Sequence, residues 1–126
     1  MTTISFPRFA RSTRHAMHGL AHAFTTENNF RIHTVIALAV AGLAVVLRIS
    51  RSDAAMIILV IASMLILELV NTIVERFADL LEPRVHPYVH IIKDIMAATV
   101  VIAALAAIGV GGLVFWPYLA DWFRPG

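Results

Sequence analysis

Apolar positions run without a charged residue through three stretches of the chain, 34–47, 54–67 and 95–120. A helix needs roughly 20 largely apolar residues to cross about 30 Å of hydrocarbon. The third stretch meets this alone and closes on Trp116-Pro117-Tyr118, with aromatic residues suited to a membrane–water interface. The first two are only 14 residues each and reach full length by taking in their polar ends. The first span is therefore expected over 30–49, with Arg31 and Arg48 snorkelling to opposite headgroup layers. The second is expected over 54–81, which draws Glu68 and Asn71 into the apolar layer, and the third over 93–116. Between the first two, Arg48-Ile49-Ser50-Arg51-Ser52-Asp53 reads as a tight polar turn with Ser52 or Asp53 as N-cap.

Upstream the period changes. Over 7–24, Phe9, Thr13, Ala16, Met17, Leu20 and Phe24 fall on one helical face. Arg8, Arg11, His15, His18 and His22 fall on the other, with Arg14 nearby, and Pro7 suits a first helical position. This predicts an amphipathic helix lying in the interface plane on an anionic leaflet. Residues 1–27 hold no apolar core of the kind a cleaved signal peptide needs.

Composition agrees with the pattern. The 126 residues are 60% hydrophobic and 14% charged, with a mean hydropathy of +0.82 and no cysteine. Soluble domains are about 45–50% apolar and about 25% charged. Disorder, a basic nucleic-acid-binding domain and a disulfide-stapled module are all disfavoured. The expectation is a single all-α integral membrane domain over 1–126, with three transmembrane helices and one surface helix. Arg8, Arg11, Arg14, Arg31, Arg76, Arg84 and Lys93 fall on one side, against Arg48, Arg51 and Arg124 on the other. The positive-inside rule then puts the N-terminus and the 76–93 region in the cytoplasm.

The second span stays helical after it stops being apolar. Glu68, Asn71, Glu75 and Asp79 recur at spacings of three, four and four. At 100° per residue they share an arc of roughly 80°, one polar stripe on one helix face. An ionisable residue at membrane depth costs at least about 2.5 kcal/mol and is a functional candidate by default. The plainer reading is that Glu68 and Glu75 pair with basic residues of neighbouring helices and fix packing. Few positive groups are available at that depth, and a hydrated divalent cation suits three carboxylates and an amide better than one lysine does. Glu27, and Lys93 with Asp94, stand at the same membrane level. Carboxylates for Mg²⁺ and a lysine for phosphate, beside an embedded glutamate, are the parts that phosphoryl transfer uses. The acceptor would be a hydroxyl at the membrane surface.

These residues carry a resemblance. Glu68-Leu69-Val70-Asn71-Thr72-Ile73-Val74-Glu75-Arg76-Phe77-Ala78-Asp79, then His86-Pro87 and Ile92-Lys93-Asp94, resembles the prokaryotic diacylglycerol kinase and undecaprenol kinase family. Glu27 and Asn29-Phe30-Arg31-Ile32-His33 extend the resemblance, which covers roughly 8–115. It implies an ATP-dependent, Mg²⁺-requiring lipid kinase of the bacterial cytoplasmic (inner) membrane, built as a homotrimer of three-span subunits. By position, Glu68 matches the family's catalytic base and Asn71 a polar residue that orders the cluster. Glu27 and Glu75 match the metal ligands on the nucleotide phosphates. Lys93 and Asp94 match a phosphate contact, and Asp79 belongs to the same nucleotide-side stripe. Arg8 and His15 on the surface helix, and Arg84, Val85 and His86 in the following loop, match positions at the nucleotide. No charged or amide position of the pattern is lost, while Ile95 and Met96 are bulkier than the family's residues there and bear on lipid fit. The loop 82–87 and Phe30-Arg31-Ile32-His33 resemble the undecaprenol kinase branch.

Other readings stand beside this one. Embedded carboxylates also serve proton or cation relays, so a small coupled transporter is the alternative function, and a non-catalytic scaffold a third. His18 with His22, and His86 with His90, have i,i+4 spacing, but neither pair has an evident third ligand for zinc. The alanines and glycines between Ala97 and Gly112 suggest either a binding groove or close helix packing, and packing is the expectation, with oligomerisation in keeping.

Overall fold

The computed structural model describes residues 6–81, 87–124 and 126, and every regular element among them is helical. Helix α1 spans Phe6–Thr26, α2 Asn28–Val46, α3 Arg51–Leu81 and α4 Pro87–Trp122. The last three are long and apolar enough to cross a membrane. Helix α3 packs against both α2 and α4, and α1 packs on α2.

One residue separates α1 from α2. Glu27 adopts an extended conformation, φ −103° and ψ 111°, and its side chain makes no capping bond. The corner is held instead by Arg31. Its Nε donates to the Phe24 carbonyl at 3.1 Å and its Nη2 to the Thr25 carbonyl at 3.0 Å. Arginine at a helix C-terminus satisfies carbonyls that have no partner within the helix. The residue expected only to snorkel thus sets how α1 leaves α2.

The α2–α3 turn is a helix stop of Schellman type. The Ile49 N–H donates to the Ala44 carbonyl and the Arg48 N–H to the Val45 carbonyl, with Arg48 at φ 50°. Glycine is the usual residue there, so an arginine gives up roughly 1–2 kcal/mol of backbone preference. The N-cap of α3 is Ser50 and not Ser52 or Asp53. Its Oγ accepts the Asp53 N–H at 3.1 Å, which places the first helical residue at Arg51. The cap is displaced because Tyr118, from the far end of α4, reaches into it. The Ser50 N–H donates to Tyr118 Oη at 2.9 Å, and Tyr118 in turn donates to Asp53 Oδ2 at 2.5 Å. In an ordinary capping box the acidic side chain reaches back to the cap N–H itself. Asp53 is one methylene shorter than glutamate, and a phenol from another helix closes the gap.

Next to this latch lies the main apolar core, Ile57, Val114 and Phe115, wrapped by Val40, Ala44, Leu47 and Ile61. Most other large apolar side chains face outward, among them Leu38, Ile102 and Leu113. Pro87 begins α4 where the fixed φ of proline is tolerated. Lys93 and Asp94 therefore lie inside the helix rather than at its opening, where a span beginning at 93 would put them. The glycines of α4 do not seat a neighbouring helix of the same chain. A Cβ at Gly109, Gly111 or Gly112 would meet nothing within 4 Å. Ala104, Ala107, Gly111 and Gly112 instead line one wall of a groove between α2, α3 and α4.

Candidate active site

Glu68 and Asn71 are the buried polar side chains of the described residues, 2% and 7% exposed. Their spacing of three puts them one turn apart on one face of α3. Further along the same face the stripe opens: Glu75 and Asp79 are exposed. It therefore passes from sealed to wet over three turns. Asn71 Nδ2 donates to Glu75 Oε1 at 3.2 Å, an i,i+4 pair that fixes both side chains. The Thr72 hydroxyl donates to the Glu68 carbonyl at 3.1 Å.

The carboxylate of Glu68 is treated differently. Its Oε2 is buried and has no hydrogen-bond partner in the structure described. It faces His33 Nε2 of α2 at 3.7 Å, beyond hydrogen-bond range. A buried acceptor left unmatched costs about 1–3 kcal/mol, and native structures keep few of them. Glu75 and Glu27 lie near enough to act electrostatically on Glu68. The site thus holds three carboxylates.

Two ion pairs tie the helices around this cluster. Glu27 Oε1 accepts from Arg76 Nη2 at 2.5 Å, joining the α1–α2 corner to α3. Lys93 Nζ donates to Asp79 Oδ1 at 2.9 Å, joining α4 to α3. Asp94, by contrast, is exposed and pairs with no described residue. Arg8 and His15 are exposed on α1, roughly 28 and 18 Å of helix from Glu27, and the chain does not bring them to the stripe. Arg84, Val85 and His86 lie outside the described residues.

The structure adds two groups to those named from the chain. Arg76 sits next to Glu75 and closes on Glu27 across the corner. His33 stands opposite Glu68. A signal for it was present, because His33 follows Phe30 by three and Phe30 is the buried residue of α2. An ionisable side chain one turn beyond a buried aromatic faces the same neighbour.

The donor set fits Mg²⁺. That ion binds through one or two carboxylates together with substrate phosphates and water, not in a cage of protein ligands. Among the described residues no group of three or more His, Cys, Asp or Glu converges as a cage. Glu27 and Glu75 are both accessible enough to offer oxygens, and the surplus of negative charge around the unmatched Glu68 oxygen favours a cation.

Comparison with known proteins converges on one family. Residues 14–115 match the family described as prokaryotic diacylglycerol kinase. The chain belongs to this family. It is 39% identical over 114 residues to a diacylglycerol kinase of Synechocystis sp., a match that covers 90% of the chain and 65% of that longer protein. It is 35% identical over 112 residues to an undecaprenol kinase of Bacillus subtilis, covering 89% and 91% of the two chains. Both relatives carry the names of lipid kinases. With three membrane-length apolar helices, this member of the diacylglycerol kinase family is a membrane protein. The matched residues take in every candidate position except Arg8.

Proposed function

We propose that the protein is an ATP-dependent kinase that phosphorylates the primary alcohol of a membrane lipid. The observation that carries this is the sealed Glu68 carboxylate with an unpartnered oxygen, standing at the inner end of a stripe that widens to solvent. A base that takes a proton from a lipid hydroxyl must sit at the apolar boundary with a free acceptor, and nucleotide must arrive from water. The stripe supplies both ends.

In this reading the hydroxyl oxygen attacks the γ-phosphorus of ATP, its proton passes to Glu68, and the bond to ADP breaks. Asn71 holds Glu75 in place. Glu27 and Glu75 would hold Mg²⁺, which neutralises the nucleotide phosphates when bound. Lys93, Asp94 and Asp79 provide the charge that positions those phosphates at the wet end, with Arg8, His15, Arg84, Val85 and His86 completing the nucleotide side. Arg8 and His15 are remote from the stripe of their own chain, which favours a homotrimer whose neighbouring subunits share a site. The balance of arginine and lysine supports a cytoplasmic side for the site, and the family resemblance supports the bacterial inner membrane. Of the two lipids, undecaprenol is preferred over diacylglycerol, on the resemblance of Phe30-Arg31-Ile32-His33 and the 82–87 loop to that branch. No observation supports the transporter alternative.

Purified protein in mixed micelles, given radiolabelled ATP and either lipid, tests this. Labelled lipid phosphate is expected only with both Mg²⁺ and a lipid alcohol present, and faster with undecaprenol. No transfer to any lipid alcohol overturns the reading.

A further inference from the structure

His33 lines one end of an apolar groove, and the buried, unmatched oxygen of Glu68 faces its imidazole at 3.7 Å without itself lining the groove. The groove, about 330 Å³, runs between α2, α3 and α4, and its walls include Val40, Met64, Ala107, Gly111 and Phe115. His33 is the one ionisable residue among those that line it. Along α2 the lining extends from His33 to Leu43, about 15 Å of helix and so about half the hydrocarbon thickness of a bilayer. A feature of this shape, apolar along its length with a polar pair at its head, matches an amphiphile with one hydroxyl and a hydrocarbon tail.

We propose that His33 is a second catalytic residue, contacting the lipid hydroxyl opposite Glu68, with the first part of the tail lying in the groove below. The inference rests on the lipid-kinase reading and adds to it a residue and a binding surface. The gap of 3.7 Å is too long for a direct bond between the two side chains. An oxygen on the groove side lies about 2.8 Å from both atoms once the Glu68 side chain turns to uncover its buried oxygen. That oxygen accepts from His33 Nε2–H and donates its own hydrogen to Glu68 Oε2. The unmatched Glu68 oxygen then has a partner, and one lone pair stays directed at the incoming phosphorus. On transfer the proton remains on Glu68, the O–P bond forms and the bond to ADP breaks. His33 neither gains nor loses a proton and contributes only the hydrogen bond from Nε2–H. The tail lies against small residues of α4, Ala107 and Gly111, where a Cβ on Gly111 would meet nothing within 4 Å.

Three substitutions in the full-length protein test this, with wild-type transfer measured first. His33→Leu is expected to lower lipid-dependent kcat roughly a hundredfold while Mg²⁺-ATP affinity and oligomeric state stay as in wild type. His33→Gln, whose amide N–H reaches the same point, is expected to recover most of that loss. Gly111→Leu fills the groove and is expected to raise the lipid KM about tenfold with kcat kept. In wild-type protein the ¹⁵N signals of the His33 ring are expected to move on adding lipid alcohol without nucleotide. If wild type is active and His33→Leu keeps its kcat, or if those ring signals do not move, the role of His33 falls while the kinase reading stands. If Gly111→Leu breaks up the oligomer, the groove seats a second copy and not a lipid tail. If wild type transfers no phosphate, the kinase reading falls first and this inference with it.

Discussion

The two polar clusters on α3, one at its Arg51 end and one running from its middle toward Leu81, are built to opposite plans. At the Arg51 end, Ser50, Asp53 and Tyr118 close on one another: cap N–H to phenol, phenol to carboxylate, serine hydroxyl to the same carboxylate at 2.8 Å. In the second cluster Glu68 is more deeply buried than any of these, yet one of its oxygens has no partner. The chain closes a network around the half-buried Asp53, to which it brings a tyrosine from 65 residues away. A closed network stabilises; an open one is available for chemistry. In the proposed reading, the contrast separates a structural polar site from a functional one within a single helix.

The comparison is sharpest at Glu68. Glu68→Gln is expected to lower phosphate transfer by roughly a thousandfold, as for loss of a general base. Glu68→Leu is expected to abolish transfer and to raise stability by about 1 kcal/mol, because it removes an unmatched buried acceptor. Thermal unfolding in detergent checks the second point, and a large destabilisation by Leu would place Glu68 with the structural cluster instead. Next in size, Glu75→Gln is expected to weaken Mg²⁺-ATP binding by about 10- to 100-fold with the fold intact, read by titration calorimetry. Unchanged affinity would remove Glu75 as a ligand.

At the closed end the signs reverse. Tyr118→Phe leaves the Ser50 N–H without its acceptor and takes a donor from Asp53, so it is expected to cost about 1–2 kcal/mol of stability with kcat unchanged. A loss of activity at full stability would tie that end to the chemistry. The smallest effect is expected at Arg48→Gly, a gain of up to about 1 kcal/mol from relief of the positive φ, seen as a modest rise in unfolding temperature.

Much of this was legible along the chain. The all-α class and the three membrane-length helices follow from runs of apolar residues long enough to leave few alternatives. The stripe was legible for the same reason, since Glu68, Asn71, Glu75 and Asp79 lie on one helix whose period is known. Features formed by two elements were not. Ser52 and Asp53 were reasonable caps by residue type, and Ser50 takes the role because Tyr118 arrives from α4. Arg31 read as a snorkelling arginine, and it binds the end of α1 because Glu27 breaks the helix with a single extended residue. The glycines of α4 read as a packing surface, and within one chain they border a groove.

What the sequence by itself determined was the medium and the kind of chemistry: a membrane bundle carrying carboxylates on one face of one helix, in a pattern specific enough to mark its family. Those are properties of local period and residue type, and they need no knowledge of neighbours. What only the tertiary structure decided was which of those polar groups are satisfied. Whether a carboxylate has a partner depends on which side chains other helices bring to it. Asp53 received Tyr118 within hydrogen-bond distance, and Glu68 received His33 just beyond it.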